Sequence, residues 1–453
     1  MKRNPVPGCR HHGRAPRLAL ASALVVAMLA GAGGQTLFGE YRLSPSADVV
    51  RLSSGPADPG AQAMLEAAIL FSGADAARAT LAADAGRLRI EEAVALARAV
   101  RADASIGDAG AREYQLGSRL LALVHSHLSR YDEFESRIDR ALLEGRYNCV
   151  SSATFYAILA RAAGLDVSGV VLPDHAYCVL ALEGRRVDVE TTSARGYDDT
   201  SKRPEAGLAW SVGGPAGGTG TTARGIIALA LRNRATLAER GRQWAAALAL
   251  AVDAYAYVSA GGHDESTLSL LVGRVNNCVS ALMESGRWSD AVELADRAIA
   301  AYGPEEAFVA LRKVARIVFL TDALRDAAGR EALALADEAA ASGEADAAWL
   351  ERAYVWAYAS LADERRAEGD HLGAWKVAAA GRVRFPASGE LARLEDVARS
   401  NWVKDAHNRF AALYNARKYG EALDVMKSAL ALAPDERILL EDERVAREAA
   451  AGK

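Results

Sequence analysis

Apolar residues along this chain recur at intervals of three and four over most of its length, the spacing of helices that bury one face. Residues 61–145 show it clearly, as in IEEAVALARAV at 90–100 and YQLGSRLLALVHSHL at 114–128. The pattern changes after Tyr147. SSATFYAILARAAG is predicted to be a helix stopped at Gly164, and three β-rich runs follow, VSGVVL, AYCVLAL and RVDVETT, separated by Pro173-Asp174 and Glu183-Gly184. A helix followed by three strands predicts a small α+β core inside a mostly α chain. Residues 39–60, with Pro45, Pro56, Pro59 and several serines, read as a linker, and SVGGPAGGTGTT sets a second, Gly-rich linker at 211–224. The folded parts are therefore expected at 61–210 and 225–450.

Past residue 225 the helical pattern repeats. Trp244, Ala247 and Ala254 share their mutual spacing with Trp288, Ala291 and Ala298, and with Tyr419, Ala422 and Ala429. His371, Ala374 and Gly381 form a weaker copy, and Ala332 with Ala339 a degenerate one. The first small residues stand at 247, 291, 332, 374 and 422, intervals of 44, 41, 42 and 48 that define a repeat period. Small residues seven apart lie on one helix face, where a neighbouring helix can approach closely, and the bulky residue ahead of them fills the gap between hairpins. Pro386 and Pro434 follow the second small residue at the same distance and end the second helix of their units. These features, including GDHLGAWKVAAAGRVRFP and RKYGEALDVMKSALALAP, resemble the tetratricopeptide repeat at a longer period than its usual length of about 34 residues. The resemblance implies a C-terminal tetratricopeptide-like α-solenoid that holds a protein or peptide partner.

Composition narrows the classes. A chain of 453 residues exceeds what one core usually supports, and 6% aromatic residues in a sequence rich in alanine favours close-packed helices. The net charge of -4, with both signs interspersed, gives no electrostatic footprint for nucleic acid. Lys2, Arg3, Arg10, Arg14 and Arg17 precede an apolar run at 18–32, the form of an export signal. Ala30-Gly31-Ala32 suits a signal peptidase, while weakly apolar residues reach Phe38, so 1–38 is expected to be a cleaved signal peptide or a membrane anchor. An exported protein follows, periplasmic, in the cell envelope or membrane-anchored, touching the membrane only through that segment. Cys9, Cys149, Cys178 and Cys278 make neither a disulfide scaffold nor a CxxC metal pair, so no metal is expected. The glycines at 213–220 lack the lysine and flanking elements of a phosphate loop, and no cofactor is implied.

The chemistry concentrates in RYNCVSSATFYAILARAAGLDVSGVVLPDHAYCVLALEGRRVDVETTSARG. Cys149 stands just before the predicted helix, where unpaired N–H groups and the helix dipole favour a thiolate nucleophile. His175, opening a strand after Pro173-Asp174, is the expected base. Asp188 and Glu190 lie two apart on the next strand, so either can face the imidazole and orient it. Cys178 is expected to be buried and structural.

The order Cys149, His175 and then an acid, led by Asn148-Cys149 and closed by Val189-Glu190-Thr191-Thr192, resembles the transglutaminase-like superfamily over residues 147–197. The resemblance implies a papain-like Cys/His/acid fold acting at a peptide or amide bond. Members commonly carry Asp-Pro-Thr where this chain has Glu190-Thr191-Thr192, so Glu190 matches by position and Asp188 by residue type. Glu190 is the favoured third member. Asn148 or the Cys149 N–H is a candidate to hold an oxyanion. The competing reading is a non-catalytic scaffold of the same fold, in which the repeats are the working, protein-binding part.

Overall fold

The computed structural model describes residues 41–201, 219–262 and 264–452. The expected signal or anchor at 1–38, and residues 211–218 of the Gly-rich linker, lie outside the described residues. Among the described residues the protein is mostly helical, with seventeen α-helices and six short strands. No helix among them is long and apolar enough to cross a membrane. The chain divides into two compact units, 1–275 and 276–453.

The first unit is built around one helix. After α1 (Ala47–Ser53), α2 (Ala61–Ser72), α3 (Ala76–Ala102), α4 (Ala109–His127) and α5 (Ile138–Glu144) comes α6 (Cys149–Ala162). Every residue of α6 from Val150 to Ala160 is buried, because α2, α3, α4 and α5 pack on it together with the sheet. That enclosure explains why its sequence is apolar on all sides. Two-residue strands β1 (Arg130–Tyr131) and β2 (Arg146–Tyr147) pair in parallel immediately ahead of α6. The sheet holds β3 (Asp166–Val171), β4 (Ala176–Leu182), β5 (Arg185–Val189) and β6 (Thr219–Thr221) in the order β5-β4-β3-β6, all antiparallel. The three strands expected from the sequence are β3, β4 and β5, and β6 is an addition.

Two expected boundaries move. Residues 41–60, expected to be a linker, are folded onto the unit: Tyr41, Leu43 and Val49 are buried. Arg42 reaches both carboxylate oxygens of Asp253, at 3.0 and 2.9 Å. The described part of the expected linker at 211–224 is not a linker: it carries β6 and the start of α7 (Ala223–Arg240), which with α8 (Trp244–Ser259) belongs to the first unit. Ile226, Ile227 and Leu231 of α7 are buried against α2, α6 and the sheet, so the repeat-like region cannot begin a separate body at 225. Arg224 is buried with its guanidinium on the carbonyls of Pro56, Ala57 and Tyr257. The boundary between the units along the chain falls within α9 (Glu265–Glu284).

The second unit continues with α10 (Trp288–Tyr302), α11 (Glu306–Asp326), α12 (Gly329–Ser342), α13 (Ala347–Ala367), α14 (His371–Arg384), α15 (Gly389–Asn415), α16 (Tyr419–Leu430) and α17 (Arg437–Ala451). From α10 onward each helix packs on its successor. The sequence period reappears as one register. Helices α8, α10, α12, α14 and α16 each carry their two small residues at the fourth and eleventh positions, and all ten are buried. Four of these five are entered through the same turn. Arg242, Gly286, Gly369 and Arg417 have φ of 57°, 73°, 78° and 60°, each two residues before the helix start. The N–H that follows each of them bonds the carbonyl five residues back, as Arg287 does to Leu282 at 2.9 Å. This left-handed cap satisfies the end of one helix and reverses the chain into the next.

Candidate functional site

Cys149 is the first residue of α6, and the local sequence places it there. Asn148 is the N-cap: its Oδ1 accepts from the N–H groups of Val150 at 2.9 Å and Ser151 at 3.1 Å. Ser151 Oγ accepts the Asn148 N–H at 3.0 Å, closing a reciprocal capping box. Asn148 Nδ2 donates to the Glu133 carbonyl at 3.0 Å, and Ser151 Oγ donates to that of Glu135 at 2.8 Å. The 132–136 loop is in turn held by Arg146 on Asp132 at 2.6 Å. Asn148 is buried with both side-chain polar atoms engaged, as the cap that positions Cys149 at the helix start. The Cys149 N–H has no acceptor among the described residues and remains available to hold an oxyanion.

His175 lies in the turn between β3 and β4, where its carbonyl accepts the Leu172 N–H at 2.8 Å. Its imidazole Nε2 is 2.5 Å from Glu190 Oε2. The His175 pKa is raised to about 9, first by the Cys149 side chain nearby, then by the hydrogen bond with Glu190, both outweighing burial. Glu190 follows the last residue of β5, and its second oxygen accepts from Thr192 N at 3.0 Å and Thr192 Oγ1 at 2.6 Å. Burial pushes Glu190 up, but the hydrogen bonds from His175 and Thr192 prevail and hold it below the usual carboxylate range. Tyr131 of β1 lies nearby, packed edge-on against Tyr147, and its phenol is pushed up by burial and then by charges around it that include Glu133 and Glu190.

The structure thus brings together Cys149, His175 and Glu190. Asp188 is fully buried and accepts from Arg186 Nε at 3.1 Å; it does not bond the imidazole. Glu190 rather than Asp188 occupies the third position because β5 ends at Val189 and the chain turns there toward His175. Cys178 is buried against α6, its Sγ 3.3 Å from the Ala153 carbonyl, and burial pushes its thiol well up. Cys278 is also buried.

Sequence reasoning quoted Thr191 and Thr192 in the closing motif without giving them a role, and it missed Ser152 and His125 as supports of this trio. His125, which reads as isolated in the sequence, places Nε2 3.1 Å from the Thr191 carbonyl. No model of a known protein family and no curated protein matches this chain.

Proposed function

We propose that this is an exported, thiol-dependent acyl-transfer protein of transglutaminase-like type, hydrolysing or transferring at a peptide or amide bond, with its tetratricopeptide-like helices docking a protein partner. The observation that carries the reading is a histidine bound to a buried carboxylate beside a cysteine that opens a helix. Cys149 Sγ passes its proton to His175 and attacks the substrate carbonyl, and the resulting oxyanion is met by the Cys149 N–H. His175 then delivers the proton to the departing amine as the tetrahedral intermediate collapses to a thioester. Water or a second amine, deprotonated by His175, attacks the thioester and releases the Cys149 thiol. Glu190 orients the imidazole throughout and stabilises its cation. Export rests on the basic and apolar N-terminal segment. The docking role rests on the repeated seam, since stacked hairpins build extended surfaces.

The test is thiol alkylation at mildly acidic pH, followed by peptide mass spectrometry. Cys149 is expected to label faster than Cys178 or Cys278. Because those two are buried, the order alone decides nothing. The informative result is that His175→Ala slows labelling of Cys149 far more than that of the others, while the fold persists. Labelling of Cys149 indifferent to His175 would leave the scaffold reading in place of the enzyme.

A further inference from the structure

Resting on the triad reading above, we infer that Ser152 and Thr191, with His125 behind them, are positioning residues that hold the acid-bearing turn against the nucleophile's helix and so keep Glu190 on His175. Glu190 sits in a turn beyond the end of β5, and a turn of this kind is free to hinge unless something outside it fixes its place. Thr191 supplies the anchor. Its hydroxyl is 2.9 Å from Ser152 Oγ, both residues are fully buried, and they lie 39 positions apart in the chain. Ser152 has one hydroxyl proton and donates it to the Asn148 carbonyl at 2.8 Å, so Thr191 is the donor to Ser152. The result is a directed chain from the acid turn, through Ser152, to the carbonyl that immediately precedes Cys149.

Two further contacts bear on the same turn from other elements. His125 of α4 bonds the Thr191 carbonyl at 3.1 Å, and the Tyr147 hydroxyl donates to the Thr192 carbonyl at 3.4 Å. Burial lowers the His125 pKa despite that backbone bond, so the ring is neutral near pH 7 and donates its Nε2 proton to the carbonyl. The imidazole of His175 is faced by Cys149 from α6 and by Glu190 from the turn. Tyr131 of β1 faces Cys149 and Glu190, and the buried Cys178 of β4 feels Glu190. None of these groups replaces Glu190 if the turn moves, because among the described residues Glu190 is the carboxylate that bonds the ring.

Purely structural bonding and positioning separate in a paired substitution. Ser152→Ala with Thr191→Val removes both hydroxyls, and the Asn148 carbonyl keeps its bond from the residue-152 N–H, so stability is expected to change little. The readout is the titration of the His175 ring by NMR in the full chain, its signal assigned by its loss in His175→Ala. The paired variant is expected to titrate at least about one unit below wild type, with a parallel fall in Cys149 alkylation at pH 7. Thr191→Ser, which keeps the hydroxyl, is expected to restore the wild-type values. A paired variant that titrates with wild type would overturn the positioning role. A wild-type His175 that titrates near its ordinary 6.5 would instead remove the triad reading itself, and the inference with it.

Discussion

Asn148 is where the geometry makes its most exposed claim, because a residue next to a nucleophile can be a cap or a participant in the chemistry, and the two roles rank its substitutions differently. Asn148→Ala removes the acceptor for the N–H groups of Val150 and Ser151, and the donor to the Glu133 carbonyl, at a site only 4% exposed. Loss of the cap costs about 1 kcal/mol. Losing the part-buried bond to the Glu133 carbonyl adds about 1 kcal/mol. The total, about 2 kcal/mol, corresponds to a fall of about 4 to 8 °C in Tm for a unit of this size. Asn148→Asp keeps the acceptor, and its charge is favoured at a helix start, but it sets a carboxylate oxygen against the Glu133 carbonyl. Its expected cost is about 1 kcal/mol. Urea unfolding of the three proteins at pH 7, monitored by circular dichroism, is expected to give the order Asn148, Asp, Ala. An alanine variant within about 1 kcal/mol of wild type would refute the capping argument.

The His175 pair also gives stability a pH signature. A folded pKa of about 9 against an unfolded value near 6.5 means that its contribution is complete below 6.5 and is lost as pH rises through about 9. Tm measured from pH 6 to 10 is expected to fall more steeply in wild type than in Glu190→Gln, and parallel curves would show that the pair does not stabilise the fold. In the second unit, Ala422 is fully buried among residues of α15 and α16 that include Phe410 and Met426. Ala422→Leu is expected to cost about 1 to 3 kcal/mol by overpacking, and a variant unfolding at the same denaturant concentration as wild type would place the seam elsewhere.

Much of the architecture was legible because its causes are local. The run SSATFYAILARAAG marks a helix wherever that helix goes, so Cys149 at its start followed from neighbouring residues, although the helix begins two residues earlier than that run because Asn148 caps it. The seam was legible for the same reason: residues seven apart on a helix share a face, so the small pairs specify which side of α8, α10, α12, α14 and α16 is approached.

The choice between Asp188 and Glu190 was of another kind. Both have the same parity along a strand, so alternation treats them alike. What separates them is that β5 stops at Val189 and the chain turns back at Gly196, where a Cβ would come within 2.0 Å of the Glu190 carbonyl oxygen. The extent of the first unit was likewise decided in three dimensions. Arg42 finds Asp253 across 211 positions, and α7 buries apolar residues against helices formed more than 60 positions earlier. Caps and helix faces are written within a few residues, whereas the partners of Arg42, Thr191 and His125 exist only after the intervening chain has folded and removed them from water.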